Sequence, residues 1–145
     1  MVGTDHAPHS HEEKFNKSWW DTLPGTIGVQ TSLALMLDRV NKGQTTLNRV
    51  VQSMSTRPAQ VFGLHPRKGC LELGADADIT IVDMDKRWTV THEEMHSKTK
   101  FTPFNGFELQ GKPVMTIVMG QVVMADGEIV GRPGIAKMVN PKKEW

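Results

Sequence analysis

Residues 4–14 read TDHAPHSHEEK, which places Asp5, His6, His9 and His11 close together at the start of the chain. The fold turns on what this cluster is for. Read from the residues alone, three answers stand. The histidines can be plain solvated side chains. They can belong to a structural zinc site, although such sites usually draw sulfur or imidazole from two separated segments, and this chain has a single cysteine, Cys70. Or the cluster is catalytic. A carboxylate at the C-terminal end of a barrel strand faces the pocket where that fold places its chemistry. Asp5 in such a place could bind a divalent metal and accept a proton from water that the metal has acidified. His9 follows four residues later, with Pro8 restricting the backbone between them. It is better placed to meet an anionic group of a substrate than to share a metal.

Outward from the cluster, the 145 residues divide by hydrophobic period. Residues 10–25 are polar, end in Leu-Pro-Gly and read as a long loop. A helix follows from Ile27 to about Gly43, with Leu33, Met36, Leu37 and Val40 on one face. A second begins near Thr46, with Thr45 or Thr46 able to cap it, carries Leu47, Val50, Val51 and Met54, and is broken by Arg57-Pro58. Pro58 to Phe62 forms a short third helix that ends at Gly63. After Gly69 the period shortens to two. Residues 78–83, 87–90, 114–119, 121–125 and 128–130 read as strands, and Asp126-Gly127 fits a tight hairpin turn. The chain is therefore helical first and β afterwards, with a boundary near His65 to Gly69.

Composition excludes some partners. A net charge of +1 with 23% charged residues gives no reason to expect nucleic acid or an anionic membrane surface. No run approaches the roughly 20 apolar residues of a membrane span, and one cysteine excludes an internal disulfide framework. A cytoplasmic location is expected.

TDHAPHSHEEK resembles the eighth-strand motif of dihydroorotases, within the cyclic amidohydrolases that also include allantoinases and hydantoinases. The resemblance continues in order along the chain. LPGTIGVQTSLALML is similar to the loop and helix after that strand, and RPAQVFGL to the next helix. KGCLELGADADITIVD is similar to the return into a small β domain, and KTKFTPFNGFELQGKPVMTIVMGQVV to the C-terminal stretch. Colinearity over residues 3–125 is far more specific than the opening motif alone.

The resemblance implies an α/β chain built in two parts. Residues 1–65 would be the last strand and closing helices of a (β/α)8 TIM-like barrel, and 66–145 the C-terminal part of a small β-sandwich. It implies a two-metal, usually zinc, centre whose hydroxide attacks a cyclic amide such as dihydroorotate. Asp5 would be both metal ligand and general base, passing the proton to the leaving nitrogen. His9 would hold the substrate's carboxylate, a feature of dihydroorotases more than of allantoinases, which more often carry Cys there. Pro24 and Gly25 would present backbone to the ring, Gly25 because no Cβ blocks the approach. His6 would take a supporting structural role, and Glu12 and Glu13 read as surface charge. Gln30, where many dihydroorotases have Glu, and the tail GRPGIAKMV depart from the pattern and leave the ring substrate open between dihydroorotase and an allantoinase- or hydantoinase-type activity.

The same resemblance requires an HxH pair, a carboxylated lysine and two further histidines on earlier strands. The 145 residues match none of them. The chain therefore resembles the last third of such an enzyme. By itself it is expected not to hold the zinc pair or hydrolyse substrate, and to self-associate through apolar faces, whereas the whole protein is expected to be a homo-oligomer. Two other readings are a non-catalytic assembly protein of the same descent and a small independent metal-binding module.

Overall fold

The computed structural model describes residues 1–15 and 18–141. Residues 16 and 17, within the loop expected over 10–25, and the tail from 142 lie outside the described residues. In chain order the elements are helix α1 (His11–Phe15), helix α2 (Val29–Asn41), helix α3 (Leu47–Val51), a π-helical turn (Gln52–Thr56), helix α4 (Arg57–Val61) and strands β1 (Ile79–Thr89), β2 (Glu108–Val118), β3 (Gln121–Ala125) and β4 (Glu128–Ile129).

The helical half follows its local signals with one exception. Thr46 caps α3, its side chain accepting from the Arg49 N–H at 3.2 Å. Pro58 does not break the helix that starts there. A proline inside a helix lacks an N–H and crowds the carbonyl four residues back. Here the wider π turn at Gln52–Thr56 precedes it, Pro58 falls in the first turn of α4, and the chain stays helical from Leu47 to Val61.

The β half is a four-stranded antiparallel meander in the order β1-β2-β3-β4. Met119-Gly120 and Asp126-Gly127 close its two tight hairpins with positive φ at both residues, 49° and 80° in the first, 48° and 92° in the second. That sign pair belongs to the type I′ turn, whose twist matches the strands. Two separate strands were expected over 78–83 and 87–90. They form one, because the Asp83 carboxylate accepts from the Asp85 and Lys86 N–H groups at 2.9 and 3.1 Å and folds the excess residues into a bulge. Strand β2 starts six residues before the expected Val114. Pro113 hides the earlier part from a sequence reading, yet it sits opposite Val82 where the register shifts and its missing N–H is tolerated.

One core joins the halves. Ile27, Ala34, Val90, Met95 and Leu109 are buried together, with Leu35, Trp88 and Phe104 against them. Helix α2 docks on β2 where Gly111, at φ +102°, leaves room. A Cβ there would lie 2.7 Å from the Cβ of Leu37. Polar groups fix the seat. The Gln110 N–H donates to Asp38 at 3.3 Å, and the Asn41 amide donates to the Met84 and Gln110 carbonyls at 2.8 and 2.9 Å. The expected apolar stripe of α2 meets the core fully only through Leu37. The buried face is Thr31, Ala34, Leu37 and Asp38, while Leu33, Met36 and Val40 stay half-exposed. Small residues and a hydrogen-bonded carboxylate allow a closer approach than leucine and methionine would.

Burial opposes ionisation of Asp38, but the Lys42 hydrogen bond (2.6 Å), the Gln110 N–H and the charges of Lys42 and Arg39 outweigh it and hold its pKa below the usual value. The connection into the sheet is held by the Lys68 ammonium, which bonds Asp78 and lies 3.0 Å from Asp76, and by the Asp78 carboxylate, which accepts from the Met119 N–H at 2.8 Å.

Two outcomes follow. Gly111→Ala combines a steric overlap with a backbone conformation that favours glycine, and should destabilise by about 2 kcal/mol or more in urea titration. A group whose folded pKa is depressed stabilises above its unfolded pKa, near 4, and loses that contribution as pH falls through the folded value. The urea midpoint should therefore drop from pH 5 to pH 3 more steeply in the parent chain than in Asp38→Asn.

Candidate active site

Residues 4–9 lie against residues 25–29. No regular strand forms there. A single parallel bridge joins His6 to Thr26, and the Ala7 N–H donates to the Thr26 carbonyl at 2.9 Å. The pairing stops at that one bridge. Helix α2 begins after Gly28, which has no side chain to cap the free N–H groups of the first turn. His6 does it instead. Its Nδ1 accepts from the Gly28 and Val29 N–H groups at 3.1 and 3.3 Å, so the ring proton sits on Nε2. The supporting role expected for His6 has this concrete form.

Asp5 precedes that bridge with φ 45°, in the left-handed region that Asp tolerates better than most residues. It is exposed, and among the described residues its carboxylate has no hydrogen-bond partner. His9 is a quarter exposed, at 26% of its side chain, and its Nδ1 lies 3.8 Å from a Glu13 carboxylate oxygen.

Glu13 is more than surface charge. Ser10 and Glu13 form the reciprocal capping pair at the start of α1, the Ser10 N–H donating to Glu13 at 2.8 Å and the Glu13 N–H to the Ser10 hydroxyl at 3.3 Å. The S-x-x-E spacing of Ser10 and Glu13 carries that signal in the sequence, and the expectation of a continuous loop over 10–25 is corrected by α1 for the same reason.

The loop holding Pro24 and Gly25 packs directly on this segment. At Gly25, with φ +122°, a Cβ would lie 2.5 Å from the Ala7 Cβ and 3.6 Å from Cδ2 of His9. Only glycine fits. The Lys14 ammonium, from α1, donates to the Leu23 carbonyl at 3.2 Å and to the Gly25 carbonyl. The structure thus brings His9, Gly25 and exposed Pro24 together, and sets Asp5 and Gly25 each one residue before the His6–Thr26 bridge. Lys14 has no sequence signal of its own, because its partners are main-chain atoms across a loop.

Gln30 uses both ends of its amide away from this cluster. It donates to the Glu94 carbonyl at 2.8 Å and accepts from the His96 N–H at 2.9 Å. A cleft of about 1010 Å³ opens between α2, the 93–100 segment and the β3–β4 hairpin, with His6 at its edge; Asp5, His9, Pro24 and Gly25 do not line it.

For a metal, the donor set is decisive. Among the described residues no group of three or more His, Cys, Asp or Glu side chains converges. Asp5 is exposed and, among the described residues, without a partner, so its carboxylate is free to act as a ligand but makes no metal site by itself. No helix among the described residues is long and apolar enough to cross a membrane.

The chain is similar to known proteins over most of its length. The chain is 43% identical over 130 residues to the dihydroorotase of Methanothermobacter thermautotrophicus, covering 90% of the chain and 30% of that protein. It is 39% identical over 142 residues to the L-hydantoinase of Paenarthrobacter aurescens, covering 95% and 31%. The structure superposes on the D-hydantoinase (dihydropyrimidinase) from Thermus sp. with a TM-score of 0.88 at 34% identity, covering 94% of this chain and 30% of that one. The chain therefore spans about a third of the length of the curated relatives it matches. The model of the amidohydrolase family matches residues 1–123. The chain belongs to the amidohydrolase family.

Proposed function

We propose that this chain is the recognition and proton-transfer portion of a cyclic amidohydrolase that opens a ring amide bearing a carboxylate, with dihydroorotate as the substrate. In this reading residues 1–65 are the last strand and closing helices of a (β/α)8 barrel, and 66–145 are part of a β-sandwich. The observation that carries it is the apposition of Gly25 and His9, 3.6 Å from the Cβ position of one to Cδ2 of the other, beside an exposed Asp5. A ring docked beside this contact would meet Gly25 main chain and the His9 imidazole together.

Each residue has a distinct task. Asp5 takes a proton from the attacking water and returns it to the ring nitrogen as the C–N bond breaks, so that the ring N–H leaves as NH2 and the carbonyl becomes a carboxylic acid, which releases water's second proton to solvent and stands as a carboxylate. His9 binds the carboxylate the ring already carries, a charge-assisted contact. The Pro24–Gly25 peptide orients the ring amide. A bound divalent pair, usually zinc in enzymes of this kind, would polarise the scissile carbonyl and acidify the water, with Asp5 as this chain's ligand to it.

The identity to a dihydroorotase supports the choice of ring, and His9 supports a substrate with a carboxylate. Gln30 no longer argues for an allantoinase. Its amide bridges Glu94 and His96, and a Glu there would lose the donor to the Glu94 carbonyl. A hydantoinase-type ring hydrolase is the second reading, favoured by the L-hydantoinase relative and the D-hydantoinase structure.

In a complete enzyme carrying this segment, Asp5→Asn should lower kcat for dihydroorotate by about 10²–10⁴-fold. His9→Ala should raise KM by roughly 10–100-fold, the loss of one hydrogen bond to a charged group, with a smaller change in kcat. Unchanged KM in the His9 variant would exclude dihydroorotate and leave the hydantoin reading, which 5-substituted hydantoins test directly. The 145 residues alone, with one candidate ligand, are expected to turn over neither. They expose large apolar side chains, Trp19 at 83%, Trp20 at 90% and Met138 at 91%. Light scattering should show their mass rising with concentration, and a constant monomer mass would refute self-association.

A further inference from the structure

Lys14 stands outside the residues assigned above, yet its contacts converge on the substrate loop. Helix α1 is only five residues long and is fixed at its start by the Ser10–Glu13 capping pair. From its last turn the half-buried Lys14 reaches across to the loop and donates to the carbonyls of Leu23 and Gly25. Between these two carbonyls lies the Pro24–Gly25 peptide, whose own C=O and N–H have no partner among the described residues. Gly25 itself packs on Ala7 and against the edge of the His9 ring.

We propose that Lys14 is a positioning residue for substrate recognition, holding the Leu23 and Gly25 carbonyls so that the intervening peptide is presented to the ring opposite His9. The proposal rests on the functional reading above and deepens it.

The physics is local. Gly25, at φ +122° and without a side chain, has more accessible backbone states than any other residue type, and nothing in its own chemistry selects one. An ammonium carries three donors and can satisfy two carbonyls at once, and hydrogen bonds from a charged donor are stronger than neutral ones. With both flanking carbonyls tied to one nitrogen, the peptide planes on either side of Pro24–Gly25 cannot rotate independently. Ala7 blocks the remaining escape, because the loop already touches its Cβ. A preorganised donor–acceptor pair binds a ring amide without first losing its own conformational freedom. The proton-transfer chemistry of Asp5 does not run through Lys14, so the consequence should fall on binding.

The test uses a complete amidohydrolase carrying these residues, with Lys14→Met, which keeps length and removes the donors, and Lys14→Arg, which restores them. Lys14→Met should raise KM for dihydroorotate about 10-fold with kcat within about 3-fold, and Lys14→Arg should recover most of the loss. Hydrogen exchange at the Ala7 amide, which donates to the Thr26 carbonyl next to the loop, measured without substrate, should quicken in Lys14→Met and not in Lys14→Arg. Unchanged KM and exchange in Lys14→Met would overturn the proposal, as would equal impairment or failure to fold in both variants. If the parent enzyme opens no cyclic amide, the functional reading fails by itself, and the exchange comparison still decides whether Lys14 fixes the loop.

Discussion

Helix α2 reaches the sheet through a contact that a single methyl group would prevent. The Leu37 side chain enters the space that Gly111 leaves empty, and around it Asp38 and Asn41 bond main-chain groups of β1 and β2. Everything else is referred to this seat. The first turn of the same helix is capped by His6, so the segment bearing Asp5 and His9 is tied to one end of a rod whose other end is bolted to the sheet. Displacing the helix would carry the candidate site with it.

Around that rod the site is assembled from short pieces that have little order of their own. A five-residue helix and a glycine-bearing loop do not hold a shape unaided. They hold one here because each supplies what the other lacks: α1 gives the Lys14 donors, and the loop gives free carbonyls and a position without a side chain. His6, Glu13 and Lys14 are engaged with main chain, and the Glu13 carboxylate also lies 3.8 Å from His9. In the proposed function, chemistry falls on Asp5 and His9 and support on these three.

Much of this could be read from the chain because local rules and global fold agree. Thr46 caps the helix it precedes, Asp126-Gly127 turns the hairpin, and the family resemblance of residues 3–125 places the chain in the family whose model it matches. The failures share a cause. Pro58 and Pro113 look like terminators, and each is absorbed by an irregularity, a π turn in one case and a register shift in the other. The buried face of α2 escaped because hydrophobicity was the criterion, whereas the sheet selected Thr31, Ala34 and Asp38 for size and hydrogen bonding. Lys14 and Gln30 were illegible in their roles for a simpler reason. Their partners are backbone atoms brought near only by folding, and no side-chain pattern records them.

The left-handed backbone of Asp5 also governs which replacements are informative there. Asparagine shares the tolerance for that conformation and is nearly the same shape, so an Asn variant isolates the loss of charge. Alanine, valine or threonine would strain the main chain one residue from the bridge to Thr26 and disturb the α2 cap together with the chemistry. A saturation library at position 5 would therefore conflate two phenotypes, and its survivors would be sorted by torsional compatibility before they were sorted by catalysis.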